Sequence, residues 1–419
     1  GRLAAALAGR VLADDGRPVI LLQRGREKLR RTVGIAVDDD RHRHFDADAV
    51  ALRDGLFSVA VDAHEQVALR QQVIQMKNKA PIRKYDITQC ALYKCRTKKR
   101  LEHLLCLEPG GLKIIDSIIR YHKFEIDKKH SDEKREITAP DKILKAIQRR
   151  ILYLLHRVIR PEWLISGEKQ KCYIDNGKAH LDGKYVLTVD IKKFYDNCTR
   201  EPVYQFFVQK LKTSPDVAKK LTDIITYNGG IPTGCPTSQI MAFYAYSDMF
   251  SEIADLAKQC GCKFTLYVDD MTFSSTKPFS PNQLRQMIDC VLRKYGHKPK
   301  YPKVKYYGPS DYKPITGTVV TPEQSLAVPN GLQNTIYNAF QTLKPLIGPE
   351  TCSEEDAKQI LSLKGQIQAA RNIEEGKFPE IGRLTSQIKV PDVQSASNQK
   401  RQIRRHNKKI RIKQRAATK

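Results

Sequence analysis

The sequence is short of acidic side chains. Its 419 residues contain 46 Asp and Glu against 73 Lys and Arg, which gives a formal net charge of +27. A protein with this net charge does not bind cations or basic partners over most of its surface. It predicts a polyanionic partner, with nucleic acid first and an anionic membrane surface second.

Long apolar runs are also absent. No segment approaches the roughly 18 apolar residues that a membrane-spanning helix requires. The apolar start of the chain is not followed by a convincing cleavage site, so we expect no signal peptide. Hydrophobic residues make up 41% and charged residues 28% of the chain, and these values exclude a wholly disordered protein. The length of 419 residues predicts two to four domains or subdomains.

The spacing of the cysteines does not match that of a zinc knuckle or ribbon. The ten cysteines are Cys90, Cys95, Cys106, Cys172, Cys198, Cys235, Cys260, Cys262, Cys290 and Cys352. We expect free thiols in a reducing, cytoplasmic compartment, although Cys90 with Cys95 and Cys260 with Cys262 remain alternatives for a bridge or a metal. His42 and His44 lack further ligands at suitable spacing, so a polar turn is favoured there.

Residues 1–65 differ in composition from the rest. They contain eleven basic residues, of which only Lys28 is a lysine, and eleven acidic ones, so the whole net charge lies in residues 66–419. This change in composition predicts a boundary near residue 65. The segment is either an accessory domain or sequence foreign to the remainder, and we expect the activity of residues 66–419 not to depend on it.

The periodicity from about residue 66 predicts helices. After Pro140 and Asp141, apolar residues recur at steps of three and four from Ile143 to Leu155, which indicates an amphipathic helix with a basic outer face. A second stripe begins after Pro202. Beyond residue 310 we expect helices again, with Ser353 and Asp356 forming a capping box. The helix that follows this box continues with a helical spacing that has one polar gap: Ala357, Ile360, Leu361, Lys364, Ile367 and Ala370.

Short β segments interrupt this pattern. Residues 185–190 are rich in β-formers and end at Asp190, and residues 264–268 and 271–274 predict a hairpin with Asp269 and Asp270 at its bend. An isolated Asp-Asp pair usually has no role beyond forming a turn, because aspartate is favoured in tight turns. Here, however, three carboxylates at strand ends would repel one another unless cations hold them, and together they form an oxygen-rich site suited to Mg²⁺. Two such ions about 4 Å apart support in-line nucleotidyl transfer.

The motifs around these aspartates resemble those of reverse transcriptases. Residues 267–270, Tyr-Val-Asp-Asp, are similar to the family's Tyr-x-Asp-Asp box, and residues 187–195 are similar to its first palm motif. Between them, residues 230–239 resemble the Pro-Gln-Gly…Ser-Pro segment, with Thr233 where the family usually has Gln and Gln239 where it usually has Pro. Order and spacing agree across all three motifs, which makes the resemblance more specific than any single box.

Among reverse transcriptases the bacterial retron type is the most similar. Residues 271–274 resemble the retron Leu-Thr-Phe-Ser continuation, residues 176–180 resemble an Asn-Ala-x-x-His element, and residues 315–317 resemble a Val-Thr-Gly element. Upstream, residues 135–148 are similar to a fingers motif. His180 taken alone is expected to be a hydrogen-bonded structural histidine.

The resemblance implies roles for individual residues. Asp190, Asp269 and Asp270 would be catalytic and would bind the two Mg²⁺ ions together with Ile191, and Lys303 would neutralise the triphosphate or protonate pyrophosphate. Nucleotide contacts would come from Tyr195, Thr233, Gly234 and Arg135. Tyr195 would exclude a ribose 2′-hydroxyl, and Gly234 would let the backbone approach the nascent base pair. A role as a core aromatic remains the alternative for Phe194 and is less favoured for Tyr195. A solvated surface role for Lys303 remains the alternative.

The implied fold is α+β, a right-hand polymerase with fingers, an antiparallel palm sheet with helices on one face, and a helical thumb. We expect a helical region and fingers at 66–170, the palm with interleaved fingers elements at 171–310, and the thumb with a basic tail at 311–419. The final twenty residues hold ten Lys or Arg and no acid, as in an arm that binds nucleic acid.

The implied function is RNA-directed DNA synthesis. The resemblance suggests dNTP substrates, a structured non-coding RNA that serves as template and primer, its DNA product, an effector protein in anti-phage defence, and no membrane partner. The alternatives are another defence-associated or group-II-intron-like reverse transcriptase, and an RNA-binding homologue that has lost catalysis. The intron type is disfavoured because the chain lacks the zinc or His-Asn-His nuclease pattern of a maturase.

Overall fold

The computed structural model describes residues 84–127, 134–347 and 353–388. The predictions for residues 1–65, for the basic tail at 400–419, and for His42, His44 and Cys352 lie outside these described residues. The nine cysteines that are described are all free, so neither of the two alternative cysteine pairs forms a bridge. No helix in the described segments is long and apolar enough to cross a bilayer.

The described chain begins with helices and an exposed hairpin. Its elements are α1 (Lys98–Leu105), α2 (Gly111–Ile118), β1 (Tyr121–Asp127), β2 (Lys134–Pro140) and α3 (Lys142–His156). Helix α3 matches the sequence prediction, with Asp141 as N-cap accepting hydrogen bonds from the amides of Ile143 and Leu144. The antiparallel β1–β2 pair was not predicted within this helical region, because its strands carry few buried apolar residues.

The middle part of the described chain contains a four-stranded antiparallel sheet with the order β4-β5-β3-β6. The elements of this part are α4 (Tyr173–Lys178), β3 (Tyr185–Asp190), α5 (Arg200–Gln205), α6 (Pro215–Ile225), α7 (Ser238–Ala245), α8 (Ser247–Gln259), β4 (Lys263–Tyr267), β5 (Asp270–Ser275), α9 (Pro281–Lys294) and β6 (Lys305–Tyr307). A π-helical turn, Phe206–Lys210, continues α5 along the predicted apolar stripe. One apolar core extends from Leu92 in the first described segment to Leu292 in α9, so the sheet and its surrounding helices share a single interior.

The last part starts with a small sheet before it becomes helical. Its elements are β7 (Lys313–Ile315), β8 (Thr318–Val320), β9 (Leu326–Ala327), α10 (Asn330–Leu343), α11 (Glu354–Ile373) and α12 (Pro379–Gln387). The sheet was missed because its strands have two or three residues each, and it packs on Val186 of β3. The predicted capping box at Ser353 and Asp356 is present. Helix α11 buries Leu363 fully, whereas Leu361, predicted to lie in the apolar stripe, is 41% exposed.

Candidate active site

The hairpin of β4 and β5 is closed by a two-residue turn. Tyr267 pairs with Asp270, which leaves Val268 and Asp269 between the strands. Val268 has a φ of +63°, and Asp269 does not lie in the positive-φ region, the sign pattern of a type II′ hairpin turn. The first position of that turn favours glycine, so a β-branched valine is strained there.

The adjacent strand brings the third carboxylate to the same place. β3 pairs with β5 in a register that sets Asp190 opposite Asp270. The amide of Ile191 donates a hydrogen bond of 3.2 Å to the carbonyl oxygen of Asp269, which ties the end of β3 to the turn. Asp190, Asp269 and Asp270, predicted from their positions at strand ends to converge, therefore occupy neighbouring backbone positions at one edge of the sheet.

Burial and mutual repulsion act on two of these carboxyls. Burial, followed by the charges of Asp270 and Asp190, raises the pKa of Asp269 to about 7 from its ordinary value of 3.8. Burial and the charge of Asp190 raise the pKa of Asp270 to about 6. Lys303 offsets both shifts only in part. The site therefore favours neutralisation of its carboxylates by protons or by bound cations.

Lys303 lies at this site. It ends a short 3₁₀ helix, Tyr301–Lys303, and its Nζ is 2.7 Å from Oδ2 of Asp190. The hydrogen bond to Asp190 is the main cause of a raised Lys303 pKa. The amide of Lys300 donates a 2.7 Å hydrogen bond to the Asp190 carbonyl, which holds this segment beside β3. The Lys303 side chain is 58% exposed, so it contacts Asp190 while remaining open to solvent.

The oxygen atoms of the three aspartates are suitable ligands for Mg²⁺, but their side chains are not arranged as a metal site. Among the described segments, no group of three or more His, Cys, Asp or Glu side chains has the arrangement of a metal site. The three aspartates offer only oxygen donors, which hard divalent cations prefer. The side chain of Ile191 is 1% exposed and purely aliphatic, so only its backbone carbonyl could serve as the predicted ligand.

Raised carboxyl pKa values make the metal-free protein less stable as pH rises. Between the ordinary value of 3.8 and about 7, the folded state binds more protons than the unfolded state at Asp269, so the free energy of unfolding falls through this window. We expect the melting temperature in EDTA to fall from about pH 5 to about pH 8 and Mg²⁺ to counteract that fall. In Asp269→Asn the fall should be shallower. Parallel wild-type and Asp269→Asn profiles in differential scanning calorimetry would contradict this account.

Tyr195 lies within electrostatic reach of the carboxylates. It starts a short 3₁₀ turn, Tyr195–Asn197, and its ring is half-buried. Burial and then the charge of Asp269 raise its pKa, whereas Arg135 acts in the opposite direction. Its neighbour Phe194 is 3% exposed and packs on Phe250, so Phe194 occupies the core position that the sequence left open for it.

Gly234 contacts protein backbone. Its amide donates a 3.0 Å hydrogen bond to the carbonyl of Thr138 in β2, and a Cβ on Gly234 would lie 2.5 Å from that oxygen. Thr233 donates from its hydroxyl to the carbonyl of Glu136 at 3.3 Å. A side chain at position 234 would therefore collide with β2, because two chain segments cross closely there. The sequence did not suggest this reason for a glycine.

Arg135 lies on the exposed hairpin. In the β1–β2 register it is opposite Ile126, and Phe124 is opposite Ile137, so these side chains share one face. Phe124 and Ile126 are 47% and 51% exposed. The charge of Arg135 also acts to lower the pKa of Tyr195, so Arg135 lies within electrostatic range of that ring.

The segment that resembles the retron Asn-Ala-x-x-His element forms hydrogen bonds to the β4–β5 hairpin and to the small sheet. His180 is fully buried, and its two ring nitrogens lie 2.6 Å from Ser274 Oγ and 2.7 Å from Thr265 Oγ1, on the two strands of the hairpin. Burial lowers its pKa to about 3, so it remains neutral, as expected for a structural histidine. Asn176 Nδ2 donates to Thr316 Oγ1 at 2.8 Å, which links α4 to the turn between β7 and β8.

Sequence reasoning missed one residue beside the turn. The hydroxyl of Ser166 accepts a 2.9 Å hydrogen bond from the amide of Val268. Ser166 is 102 residues away in the chain and lies in a loop with no recognisable motif. Only tertiary structure brings it to the site.

Comparison with known proteins agrees with the motif resemblance. Residues 126–317 match the family model described as reverse transcriptase (RNA-dependent DNA polymerase). The chain is 27% identical over 180 residues to the retron Se72 reverse transcriptase of Salmonella heidelberg (strain 579083-10), covering 42% of this chain and 48% of that protein. It is 26% identical over 222 residues to the retron Ec86 reverse transcriptase of Escherichia coli, covering 52% and 69%. The matched part is thus about half the length of the Se72 protein, and the predicted similarity to retron reverse transcriptases is confirmed.

Solved structures with a similar arrangement include telomerases. The chain aligns with apo telomerase from Candida tropicalis truncated from its C-terminal domain with a TM-score of 0.40 and 13% identity, covering 51% of this chain and 55% of that one. It aligns with telomerase from Candida albicans in complex with a fragment of telomeric RNA with a TM-score of 0.38 and 12% identity, covering 62% and 54%. The α+β class predicted from the sequence is confirmed by the mixed helices and antiparallel sheets of the described chain.

Proposed function

We propose that this chain, which carries a reverse transcriptase domain at residues 126–317, is an RNA-directed DNA polymerase of the retron type. The observation that carries the proposal is the register that sets Asp190 opposite Asp270, with Asp269 in the adjoining turn and Lys303 bound to Asp190. Acidic groups with raised pKa values at one sheet edge suit a site where cations and phosphates meet. Primer extension on RNA is the direct test.

Asp190, Asp269, Asp270 and the Ile191 carbonyl would hold two Mg²⁺ ions. When bound, such ions supply charge neutralisation of the triphosphate and lower the pKa of the attacking 3′-hydroxyl. Lys303 holds its proton before the reaction because Asp190 raises its pKa, so a positive charge is present when the triphosphate binds. We assign it to neutralising the triphosphate and to donating a proton to the departing pyrophosphate.

We assign to Tyr195 the selection of deoxyribonucleotides over ribonucleotides. Its half-buried ring near Asp269 would fill the space that a 2′-hydroxyl requires, so Tyr195→Ala should reduce discrimination against ribonucleotides by about 10- to 100-fold. Tyr195→Phe, which keeps the ring, is the matched control and should retain wild-type discrimination. Competition between dNTPs and rNTPs in single-nucleotide extension measures this ratio. Unchanged selectivity in Tyr195→Ala would assign the discrimination to another residue.

The β1–β2 hairpin would serve as fingers over the templating base. Its face with Phe124, Ile126 and Arg135 offers apolar contact for a base and a cation for phosphate. In this assignment residues 66–170 contain the fingers, 171–310 the palm and 311–419 the thumb, with Gly234 and Thr233 joining palm to fingers. The nascent base pair would then lie next to the crossing at Thr138.

The RNA would be a structured non-coding RNA that acts as both template and primer. The net charge of +27 supports a polyanionic partner, and the similarity to retron proteins supports a dedicated RNA, a cytoplasmic location and an anti-phage role with an effector protein. Sequencing the nucleic acid that copurifies with the protein tests this. We expect one enriched RNA with DNA complementary to part of it, and a random sample of cellular RNA would contradict the dedicated template.

A further inference from the structure

The loop before α4 forms an additional edge beside the catalytic hairpin. The amide of Leu266 in β4 donates to the carbonyl of Trp163 at 2.8 Å, and the amide of Ile165 donates to the carbonyl of Leu266 at 3.0 Å. These bonds make a parallel bridge between Leu164 and Leu266. The loop therefore runs alongside β4 in the direction of the Val268–Asp269 turn.

At the turn, the loop supplies one side-chain contact to the strained residue. Ser166, 5% exposed, accepts the hydrogen bond from the Val268 amide through Oγ at 2.9 Å. A valine with a φ of +63° costs free energy that neighbouring contacts must offset. Without the hydroxyl, a part-buried amide would also lose its acceptor. The turn conformation that presents Asp269 thus depends on a residue outside the hairpin.

A buried ion pair fixes the loop that carries Ser166. Glu168 contacts Nε of Arg160 and, at 2.6 Å, Nζ of Lys84, and the side chains of Arg160 and Glu168 are only 2% and 6% exposed. Arg160 also donates to the carbonyl of Gly167 at 3.3 Å. Ile165 and Gly167, the two neighbours of Ser166, are thereby both held by hydrogen bonds, so the position of Ser166 is set by contacts other than the one it makes with the turn.

We propose that Ser166 is a positioning residue for polymerisation: its hydroxyl holds Val268 in its left-handed conformation and thereby keeps Asp269 next to Asp190 and Asp270 at the edge of the sheet. The proposal rests on the proposed function. Ser166 touches no reacting atom, and it acts through the backbone of Val268.

The test compares three substitutions at Ser166 in primer extension by the full chain. Ser166→Ala and the nearly isosteric Ser166→Cys remove the strong acceptor and should lower kcat by about 10-fold or more, raise the Mg²⁺ concentration for half-maximal rate, and leave the KM for primed template unchanged. Ser166→Thr keeps the hydroxyl and should retain most activity. Ser247→Ala, which removes a half-buried hydroxyl bonded to the Tyr244 carbonyl, is the matched control and should remain near wild type.

A second substitution separates positioning from general stability. Glycine adopts a positive φ without strain, so in a Val268→Gly background the loss caused by Ser166→Ala should shrink to a few-fold. An equal loss in both backgrounds, or wild-type kinetics and Mg²⁺ dependence in both Ser166→Ala and Ser166→Cys, would overturn the proposal. An inactive wild-type protein would instead overturn the proposed function, so the two failures are distinguishable.

Discussion

Replacing Asp269 and Asp270 together with alanine should abolish DNA synthesis while RNA binding persists. The two carboxyls share one turn, and burial raises the pKa of each, so both contribute to the same charged centre. Their loss removes two of three acidic donors, and we expect the rate to fall by on the order of 1,000-fold or more. Affinity for RNA should stay equal or rise, because the substitution removes negative charge from a basic protein.

The control for this experiment reproduces the change in charge elsewhere. Asp255 and Glu355 are exposed acidic residues, and their double replacement by alanine changes the net charge by the same amount. That variant should synthesise DNA at the wild-type rate. Substantial synthesis by the Asp269→Ala/Asp270→Ala protein would remove these residues from the mechanism, and loss of RNA binding would indicate a structural collapse of the hairpin.

Gly234→Ala should also have a large effect, for a steric reason. An added Cβ would meet the Thr138 carbonyl oxygen at 2.5 Å and the Ala139 Cα at 3.0 Å, and both are backbone atoms that cannot move independently. The loop must then retreat from β2 and lose the hydrogen bond from the Gly234 amide. We expect DNA synthesis to fall by about 10- to 100-fold, because the hairpin carrying Arg135 would shift relative to Tyr195.

A second glycine provides the comparison. Gly365, in α11, has open space where a Cβ would be added, so Gly365→Ala should keep full activity and slightly raise the melting temperature, as alanine favours helix. Normal synthesis and normal melting by Gly234→Ala would show that the crossing between the loop and β2 adjusts freely. That result would contradict the steric role assigned to Gly234.

The sequence predicted the centre of the site because that part is local. Asp190 ends a strand, and Asp269 and Asp270 lie at a hairpin, so period-two patterning and turn chemistry locate all three. The pairing of β3 with β5, which brings Asp190 opposite Asp270, is not local, and it was expected because the order of the motifs resembles that of reverse transcriptases. The placement of Lys303 followed only from family resemblance, and the structure gives it a 2.7 Å contact with Asp190.

Features that depend on tertiary contacts escaped prediction. The β1–β2 hairpin lacks a buried apolar face, so its polar strands gave no alternation signal. Ser166 contacts Val268 across 102 residues, and nothing in the sequence links the two. The crossing at Gly234 likewise depends on where β2 passes.

The prediction that Leu361 belongs to the apolar stripe of α11 was wrong for a different reason. Helical periodicity placed Leu361 in the stripe and did not include Leu363, because periodicity alone does not show which side of the helix is covered. The structure buries Leu363 and leaves Leu361 41% exposed, since the neighbouring helices cover only one side of α11. Propensity located this helix correctly, and packing determined its buried face.

Extension of a DNA primer on an RNA template of defined sequence, with sequencing of the product, tests the central claim most directly. With Mg²⁺ and all four dNTPs, the wild-type chain should produce DNA complementary to the RNA, and the Asp269→Ala/Asp270→Ala protein should produce none. A folded wild-type protein that binds the primed RNA but adds no nucleotide, with Mg²⁺ or Mn²⁺, would contradict the claim. That outcome would instead identify the chain as an RNA-binding homologue without polymerase activity.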